Sequence, residues 1–138
     1  MKATRSSGSI VCFNVPEEKY KTLESICRPL GLRIRQVPKN EFDKCIAEQF
    51  HIMLPAGLGA PQEGVDYDFP EELMIIHITE ESLFNKFLQE SRAQNAVIDY
   101  KAVMTPTNSM WHPKQLRDEL AKEHEYMKKM GQKSADTE

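Results

Sequence analysis

The pattern of apolar and polar positions predicts a strand and then a helix at the start of the chain. Residues 9–15, SIVCFNV, form an apolar run rich in β-branched and aromatic side chains, which is typical of a strand buried on both faces. Residues 16–31 place apolar side chains at helical spacing behind Pro16 and two glutamates, a favourable helix start. Pro29 and Gly31 predict the end of this helix.

A second strand and a short helix follow. Residues 32–38, LRIRQVP, alternate between apolar and polar side chains, which indicates a strand with one wetter face. Asn40 is then expected to cap a short helix. Its apolar positions are Phe42, Cys45, Ile46 and Phe50.

The second half of the chain repeats this order. Residues 72–78, ELMIIHI, predict a third strand, and Thr79 is expected to cap a helix whose buried stripe is Leu83, Phe84, Phe87 and Leu88. Residues 100–104, YKAVM, predict the fourth strand. The last helix is expected over about 113–130, followed by a polar tail at 131–138.

Residues 51–71 separate the two halves. Residues 51–70 contain three prolines and three glycines, so we expect a long exposed connection, mobile at its glycine-rich part. Such connections are often either functional or disordered, and the glycines here do not form a phosphate-binding motif. We therefore interpret the segment as a linker between two half-repeats, about 9–50 and 72–130.

The alternation of about four strands with four helices predicts a single α/β domain over residues 1–138, with a mostly parallel or mixed sheet. The two halves could derive from a duplicated β-α-β-α unit, since VCFNVPEEKYKTL and IIHITEESLFNKFL share one pattern. A ferredoxin-like α/β sandwich with one antiparallel strand is the alternative.

Composition and charge limit the function classes. The 138 residues are 40% hydrophobic and 28% charged, and the net charge is −3. This is the composition of a globular protein without the basic footprint of a nucleic-acid binder. No apolar run approaches the ~20 residues of a membrane span, and the N-terminus lacks a signal core. We therefore expect a cytoplasmic protein that binds neither nucleic acid nor a membrane.

The three cysteines are Cys12, Cys27 and Cys45. Their odd number, their wide spacing and the absence of a C-x-x-C motif predict reduced, buried thiols rather than disulfides or a zinc site. The four histidines also lack metal-ligand spacing. The sequence thus predicts no metal and no cofactor.

The stretch KAVMTPTNSMWHPKQL, residues 101–116, admits two interpretations. In the structural interpretation it is a turn and a helix start: His112 lies at the cap and Pro113 in the first helical position, while Trp111 packs on Leu116 as a hydrophobic staple. We regard this as the better supported interpretation.

The functional interpretation places a ligand over the same turn. In open parallel sheets, ligands bind beyond the carboxyl ends of the strands, where polar side chains would converge. The candidate binding residues are Asn14, His77, Lys101, Thr105, Thr107 and Asn108. No paired carboxylates and no Ser-His-Asp or Cys-His motif accompany them, so no catalytic residue is predicted.

The segment YKAVMTPTNSMWHPKQLRDELAKEHEYM resembles the C-terminal signature of a small bacterial family catalogued as domain of unknown function 3783. The family's K-A-V-x-T-x-x-N-x-x-W stretch matches Lys101, Ala102, Val103, Thr105, Asn108 and Trp111. Its K-x-E-H helix end corresponds to Lys122, Glu123 and His124, which follow one another here without the intervening residue. The resemblance covers about residues 74–127. His112 departs from the threonine expected after the tryptophan, and the resemblance implies no particular activity.

Two function classes follow. The first is a non-enzymatic binding or regulatory module, with a homodimer as its candidate assembly. The lack of a catalytic constellation favours this class. The alternative is a small-ligand-binding or hydrolytic site at the carboxyl ends of the strands.

Overall fold

The computed structural model describes residues 8–55 and 57–136, with side chains described as far as Met130. It contains four strands and four helices in the predicted alternating order. In chain order these are β1 (Gly8–Phe13), α1 (Glu17–Leu30), β2 (Leu32–Gln36), α2 (Ile46–Gln49), β3 (Leu73–Ile78), α3 (Glu81–Ala93), β4 (Tyr100–Val103) and α4 (Pro113–Asp136).

The four strands form one mixed sheet in the order β2-β1-β3-β4. β1 and β2 are parallel, β3 and β4 are parallel, and the two pairs meet through an antiparallel contact between β1 and β3. The predicted α/β class with a mixed sheet is therefore confirmed. The antiparallel pairing expected in the ferredoxin-like alternative is also present, at the centre of the sheet.

The topology has an internal symmetry. Exchanging β1 with β3 and β2 with β4 reverses the strand order and leaves every pairing type unchanged. The exchange also relates α1 to α3, since each connects the two parallel strands of its half. A duplicated β-α-β-α unit would produce this arrangement, and the duplication stays a prediction.

Local signals set most helix ends. Gly31 ends α1 in the left-handed conformation, with φ of 71°, and its N–H donates to the carbonyls of the last turn. Thr79 was expected to cap the next helix, but the N-cap of α3 is Glu80. The short helix predicted after Asn40 is divided into a 3₁₀ turn, Lys39–Glu41, and the single turn of α2.

The last helix starts at Pro113 as predicted and is longer than predicted. It continues to Asp136, so most of the expected polar tail 131–138 is helical backbone, and residues 137–138 lie outside the described part of the chain. Within the described residues, no helix combines the length and the apolar composition needed to cross a membrane.

The sheet separates two hydrophobic cores. Even-numbered residues of the central strands, such as Cys12 and Met74, pack with α1 and α3 on one face. Odd-numbered residues, such as Phe13 and Leu73, pack on the other face with Leu116 of α4 and Ile46 of α2. This alternation follows from the two-residue period of a strand, and the layers are helices, sheet, helices.

An aromatic cluster anchors the connection between the halves. The ring of Phe69, from the end of the linker, stacks on Phe42 at 5.0 Å between centroids and lies 5.8 Å from Phe13. Phe13 and Phe42 meet edge to face at 5.2 Å. Because offset and edge-to-face aromatic pairs add to the energy of burial, this cluster holds the linker end against the sheet.

Replacing Phe13 tests this cluster. Phe13→Ala removes a fully buried ring that contacts two others, so we expect the free energy of unfolding to fall by about 3–5 kcal/mol in urea denaturation. Val97→Ala, at a position 39% exposed, is the control and should change it by less than about 1 kcal/mol. Equal effects of the two substitutions would contradict the assigned core.

Candidate functional site

The six predicted binding residues do not form one site. Asn14 follows β1, whereas His77 and Thr105 lie at the carboxyl ends of β3 and β4. Because β1 and β3 run antiparallel, with Phe13 opposite Leu73 and Ser9 opposite His77, these ends lie at opposite edges of the sheet. The prediction of a single site was wrong because it assumed that all four carboxyl ends point the same way.

Asn14 and Lys101 lie toward the first of these edges and are used within the fold. Asn14 adopts a left-handed φ of 60°, and its Nδ2 donates to the carbonyl oxygens of Phe69 at 2.6 Å and Glu71 at 2.9 Å. Lys101 Nζ donates to the carbonyl of Ile98 at 3.1 Å. Both side chains therefore tie loops to the sheet.

The turn after β4 satisfies its polar groups internally. Asn108 is 7% exposed; its Oδ1 accepts from the Thr105 N–H at 2.9 Å and its Nδ2 donates to the Val103 carbonyl at 3.1 Å. The Asn108 N–H in turn donates to Thr105 Oγ1 at 3.1 Å. Thr107 is exposed. Thr105 and Asn108 thus close the turn on itself through these hydrogen bonds.

The residues predicted to form the turn and cap connect this turn to α2, to α4 and to the core. They are Trp111, His112, Pro113 and Leu116. Trp111 packs against the same apolar cluster as Leu116, and its carbonyl accepts from the Ile46 N–H at 2.8 Å, which links the turn to α2. The His112 carbonyl accepts the first backbone bonds of α4, which begins at the buried Pro113. The His112 ring lies 4.4 Å from the Tyr67 ring between centroids and is tilted by 33° to it. The buried Nε2 of His112 has no hydrogen-bond partner in the described residues.

A different polar feature lies on the face of the sheet that carries α2 and α4. Arg33, Ser9 and His77 are register neighbours on three adjacent strands and point to this face. On the same face, the next two rows of side chains across the strands are apolar apart from Arg35. Helices cover part of these two rows. α2 has only four residues and ends at Gln49, so the row of Arg33, Ser9 and His77 lies at the end of the sheet where the helical layer stops.

This uncovered end forms an open cavity of about 400 Å³, here called the Arg33 groove. Volumes of this size are typical of small-molecule sites. His77 lies at its margin, with its ring 5.9 Å from that of Phe50. The nine lining residues include no carboxylate and are Ser9, Ile10, Val11, Arg33, Ile34, Arg35, Gln49, Phe50 and His51.

The second arginine of the groove is held rigidly. One Nη of Arg35 donates to Glu41 Oε1 at 3.3 Å; the other donates to the Gln49 carbonyl at 2.8 Å and to Gln49 Oε1 at 3.1 Å. Gln49 is only 1% exposed, and its Nε2 donates to the carbonyl of Glu41 at 2.7 Å. Arg35 is therefore a fixed and partly neutralised charge in the groove wall.

Arg33 differs from Arg35 in having no ion pair among the described residues, and it is exposed. A guanidinium offers a planar array of donors that matches carboxylate and phosphate oxygens. With His51 and His77 as further donors and Ser9 as a hydroxyl, the groove presents a set of groups suited to a small anion.

His51 occupies an unusual backbone position at the rim of the groove. It follows the last turn of α2 with a φ of 62°. Its N–H donates to the Glu48 carbonyl at 2.9 Å, and the Ile52 N–H donates to the Ala47 carbonyl at 3.0 Å. This is the Schellman ending of a helix, in which glycine is the favoured residue. A histidine here costs about 1 kcal/mol relative to glycine, and its imidazole faces the groove.

The sequence prediction named none of the nine residues that line the groove and only His77 at its margin. The alternating segment LRIRQVP did carry a signal, because it places Arg33 and Arg35 on the same face of one strand. The segment gives no information on the strand register, and it is the register that places Ser9 and His77 level with Arg33.

None of the three cysteines lines the Arg33 groove. Cys12, Cys27 and Cys45 are free and buried. Burial raises the pKa of all three thiols, that of Cys27 to about 12. Among the described residues, no group of three or more His, Cys, Asp and Glu side chains could hold a metal ion.

Comparison with known proteins gives one match. The model of the family described as Domain of unknown function (DUF3783) matches residues 72–127. The match runs from β3 into α4 and agrees with the resemblance found in that segment. No curated protein and no solved structure matches the chain.

The turn after β4 can be tested by mutation. Asn108→Ala removes the partners of two backbone groups, so we expect the free energy of unfolding to fall by about 1–3 kcal/mol. Thr107→Ala, at the adjacent exposed position, is the control and should have almost no effect. Urea denaturation measures both, and an unchanged stability of the Asn108 variant would contradict the structural assignment.

Because the three cysteine thiols are buried, we expect them to react slowly with thiol reagents. A rise in the pKa of Cys27 from 9.0 to about 12 lowers its thiolate fraction about a thousandfold near neutral pH. We expect all three thiols of the native protein to react far more slowly with Ellman's reagent at pH 8 than those of the unfolded chain. Because the unfolded chain ionises first, the free energy of unfolding should also fall as the pH rises above 9.0. One native thiol reacting at the unfolded rate would contradict this.

Proposed function

We propose that the protein is a non-enzymatic binding or regulatory module whose ligand is a small anion held in the Arg33 groove. The observation that carries the proposal is the pairing of an open 400 Å³ cavity with an exposed, unpaired arginine and no carboxylate in its lining. Arginine without a partner at the mouth of a cavity is suited to bidentate recognition of a carboxylate or phosphate group.

Preorganisation supports the same proposal. Gln49 and Glu41 hold Arg35 in one orientation, so its positive charge is already in place before any ligand arrives. A fixed donor costs less conformational entropy on binding than a free one. Arg33, which is free to move, would then close on the ligand from the strand edge.

The charge distribution favours a small anion over a nucleic acid. The chain has a net charge of −3, and the positive charge of the groove is confined to two arginines on one strand. A polyanion requires a basic surface that follows many phosphates. A cytoplasmic location is part of the proposal, in keeping with the odd number and wide spacing of the cysteines.

A hydrolytic function has less support. Ser9 and His77 are register partners on β1 and β3, yet no hydrogen bond joins their side chains in the described structure. A serine nucleophile needs a hydrogen-bonded base, which in turn is oriented by a third group. The groove lining contains no carboxylate for that role.

Binding can be followed by titrating ¹⁵N-labelled protein with inorganic phosphate and, separately, with citrate. We expect chemical-shift changes centred on Ser9, Arg33 and His77 for at least one of these anions. Arg33→Gln should weaken that binding about tenfold or more, since it removes a charge-assisted hydrogen bond. Higher salt should weaken it as well.

Two control variants sharpen the titration. Arg92→Gln removes an exposed arginine from α3, on the other side of the sheet, and should leave the affinity unchanged. His51→Gly should raise the melting temperature while weakening binding, because it relieves the strained backbone and removes an imidazole. Shift changes that are absent for both anions, or that persist fully in Arg33→Gln, would refute the proposal.

A further inference from the structure

The Arg33 groove is built from two chemically different parts. One part is polar and lies at the end of the sheet, where Arg33 and Ser9 are register partners on β2 and β1. The other part is apolar: Val11 belongs to a buried cluster of the core, and the half-buried Phe50 packs against the same cluster. Both parts line one cavity of about 400 Å³. A ligand that fills this cavity therefore contacts a cation and an apolar surface together.

Phe50 supplies most of the apolar side-chain surface in the groove. Two other apolar lining residues, Ile10 and Ile34, direct their side chains to the α1 and α3 face of the sheet, so they contribute backbone to the groove. Val11 does point to the groove face, but it is only 3% exposed. Phe50 is left as the apolar side chain that a ligand can cover to a large extent.

The groove offers one positive charge without a partner. Arg33 is exposed and has no ion pair among the described residues. Arg35 lies on the same face of β2, but Glu41 Oε1 lies 3.3 Å from one of its Nη atoms and offsets its charge. The other Nη donates to two oxygens of Gln49. With histidines counted as neutral, a ligand with a single negative charge matches the groove.

A carboxylate fits this charge better than a phosphate group. A phosphate monoester carries about −1.5 to −2 at pH 7, so part of its charge would have no partner beside Arg33. A carboxylate carries one charge, and its two oxygens match the planar fork of a guanidinium. The Ser9 hydroxyl, level with Arg33 on the next strand, is a further donor for a carboxylate oxygen.

The apolar part of the groove favours an aromatic ring over an aliphatic chain. The ring of Phe50 lies 5.9 Å from that of His77 between centroids, at an interplanar angle of 65°. Aromatic rings attract each other in such edge-to-face contacts and in offset stacks, so a third ring can add to this pair. A ring also has fewer rotatable bonds to fix on binding than a chain of similar size, which lowers the entropic cost.

Building on the anion-binding function proposed above, on which this inference rests, we propose that the ligand of the Arg33 groove is an aromatic monocarboxylate. Its carboxylate forms a bidentate pair with Arg33, and its ring lies against Phe50. Phosphate, citrate and acetate reach Arg33 but leave the Phe50 surface uncovered. A pocket that buries an apolar body and orients it by a few polar groups is the usual design of a small-molecule site.

Titration of ¹⁵N-labelled wild-type protein with benzoate and with acetate, at constant ionic strength, tests the ligand class. Each anion carries one carboxylate, so the difference in affinity measures the contribution of the ring. We expect benzoate to bind at least about tenfold more tightly than acetate, and more tightly than phosphate or citrate, because only its ring covers apolar surface. Benzyl alcohol has the ring without the charge and should bind at least about tenfold more weakly than benzoate.

Variants separate the two parts of the groove. Arg33→Gln should weaken the binding of both carboxylates, whereas Phe50→Leu should weaken only that of benzoate, by about three- to tenfold, because it removes a ring and keeps an apolar side chain. Phe84→Leu is the matched control: Phe84 is a half-buried phenylalanine of α3 on the other face of the sheet. This control should leave the affinities for benzoate and acetate unchanged.

Each outcome bears on one of the two proposals. Equal affinities for benzoate and acetate, both dependent on Arg33, overturn the aromatic monocarboxylate and leave the anion site in place. Phosphate or citrate binding more tightly than benzoate does the same.

Benzoate binding that neither Arg33→Gln nor Phe50→Leu weakens overturns the placement of the ligand. If none of the anions binds in the groove, the proposed function fails as well. Circular dichroism reports whether each variant is folded, and the comparison of benzoate with acetate in the wild-type protein decides the ligand class without any variant.

Discussion

The antiparallel pairing of β1 with β3 is the contact on which the rest of the architecture depends. Six residue pairs, from Gly8 with Ile78 to Phe13 with Leu73, join two β-α-β halves that are otherwise built from local parallel pairing. This pairing directs the carboxyl ends of the two halves to opposite edges of the sheet. It also creates the register that lines up Arg33, Ser9 and His77 across three strands.

Helices cover the two faces of the sheet unequally, and this leaves the row of Arg33, Ser9 and His77 accessible for binding. On one face α1 and α3, with 14 and 13 residues, cover the sheet. On the other face α2 has four residues, and α4 covers the end near Phe13 and Leu73 before it extends past β4. The same helical layer is therefore too short over β2, which leaves the groove open, while the part of α4 after residue 121 is exposed as far as Met130.

The sequence allowed the helices and strands to be predicted, but it did not allow the relative directions of the strands to be predicted. The apolar run of β3, Gly31 after α1 and Pro113 at the start of α4 are local signals, and each element lies where they predicted. Strand direction depends on which strands pair over long distances, and no local signal in residues 72–78 states that β3 runs against β1. The predicted meeting of Asn14 with His77 failed for that reason.

The same limit explains the site residues. Asn108 and Thr105 form a turn that is recognisable from the types of its residues, since asparagine and threonine side chains commonly bond nearby backbone. Arg33 gave only a weak signal as a polar residue on an alternating strand. Its significance depends on what lies opposite it and on where α2 stops, and both are properties of tertiary structure. His51 had no signal, because its left-handed φ arises from the end of a four-residue helix.

The central pairing has a consequence for how the chain reaches its fold. β1 with β2 and β3 with β4 are each closed by a single helix, so their contacts form between segments close in sequence. Only β1 with β3 requires a long closure: Phe13 must find Leu73, 60 positions later. Since folding rates fall as contacts become more distant in sequence, this one closure sets the pace for two halves that can order early. Lengthening the linker would slow that search only slightly, because the entropy of closing a loop grows with the logarithm of its length.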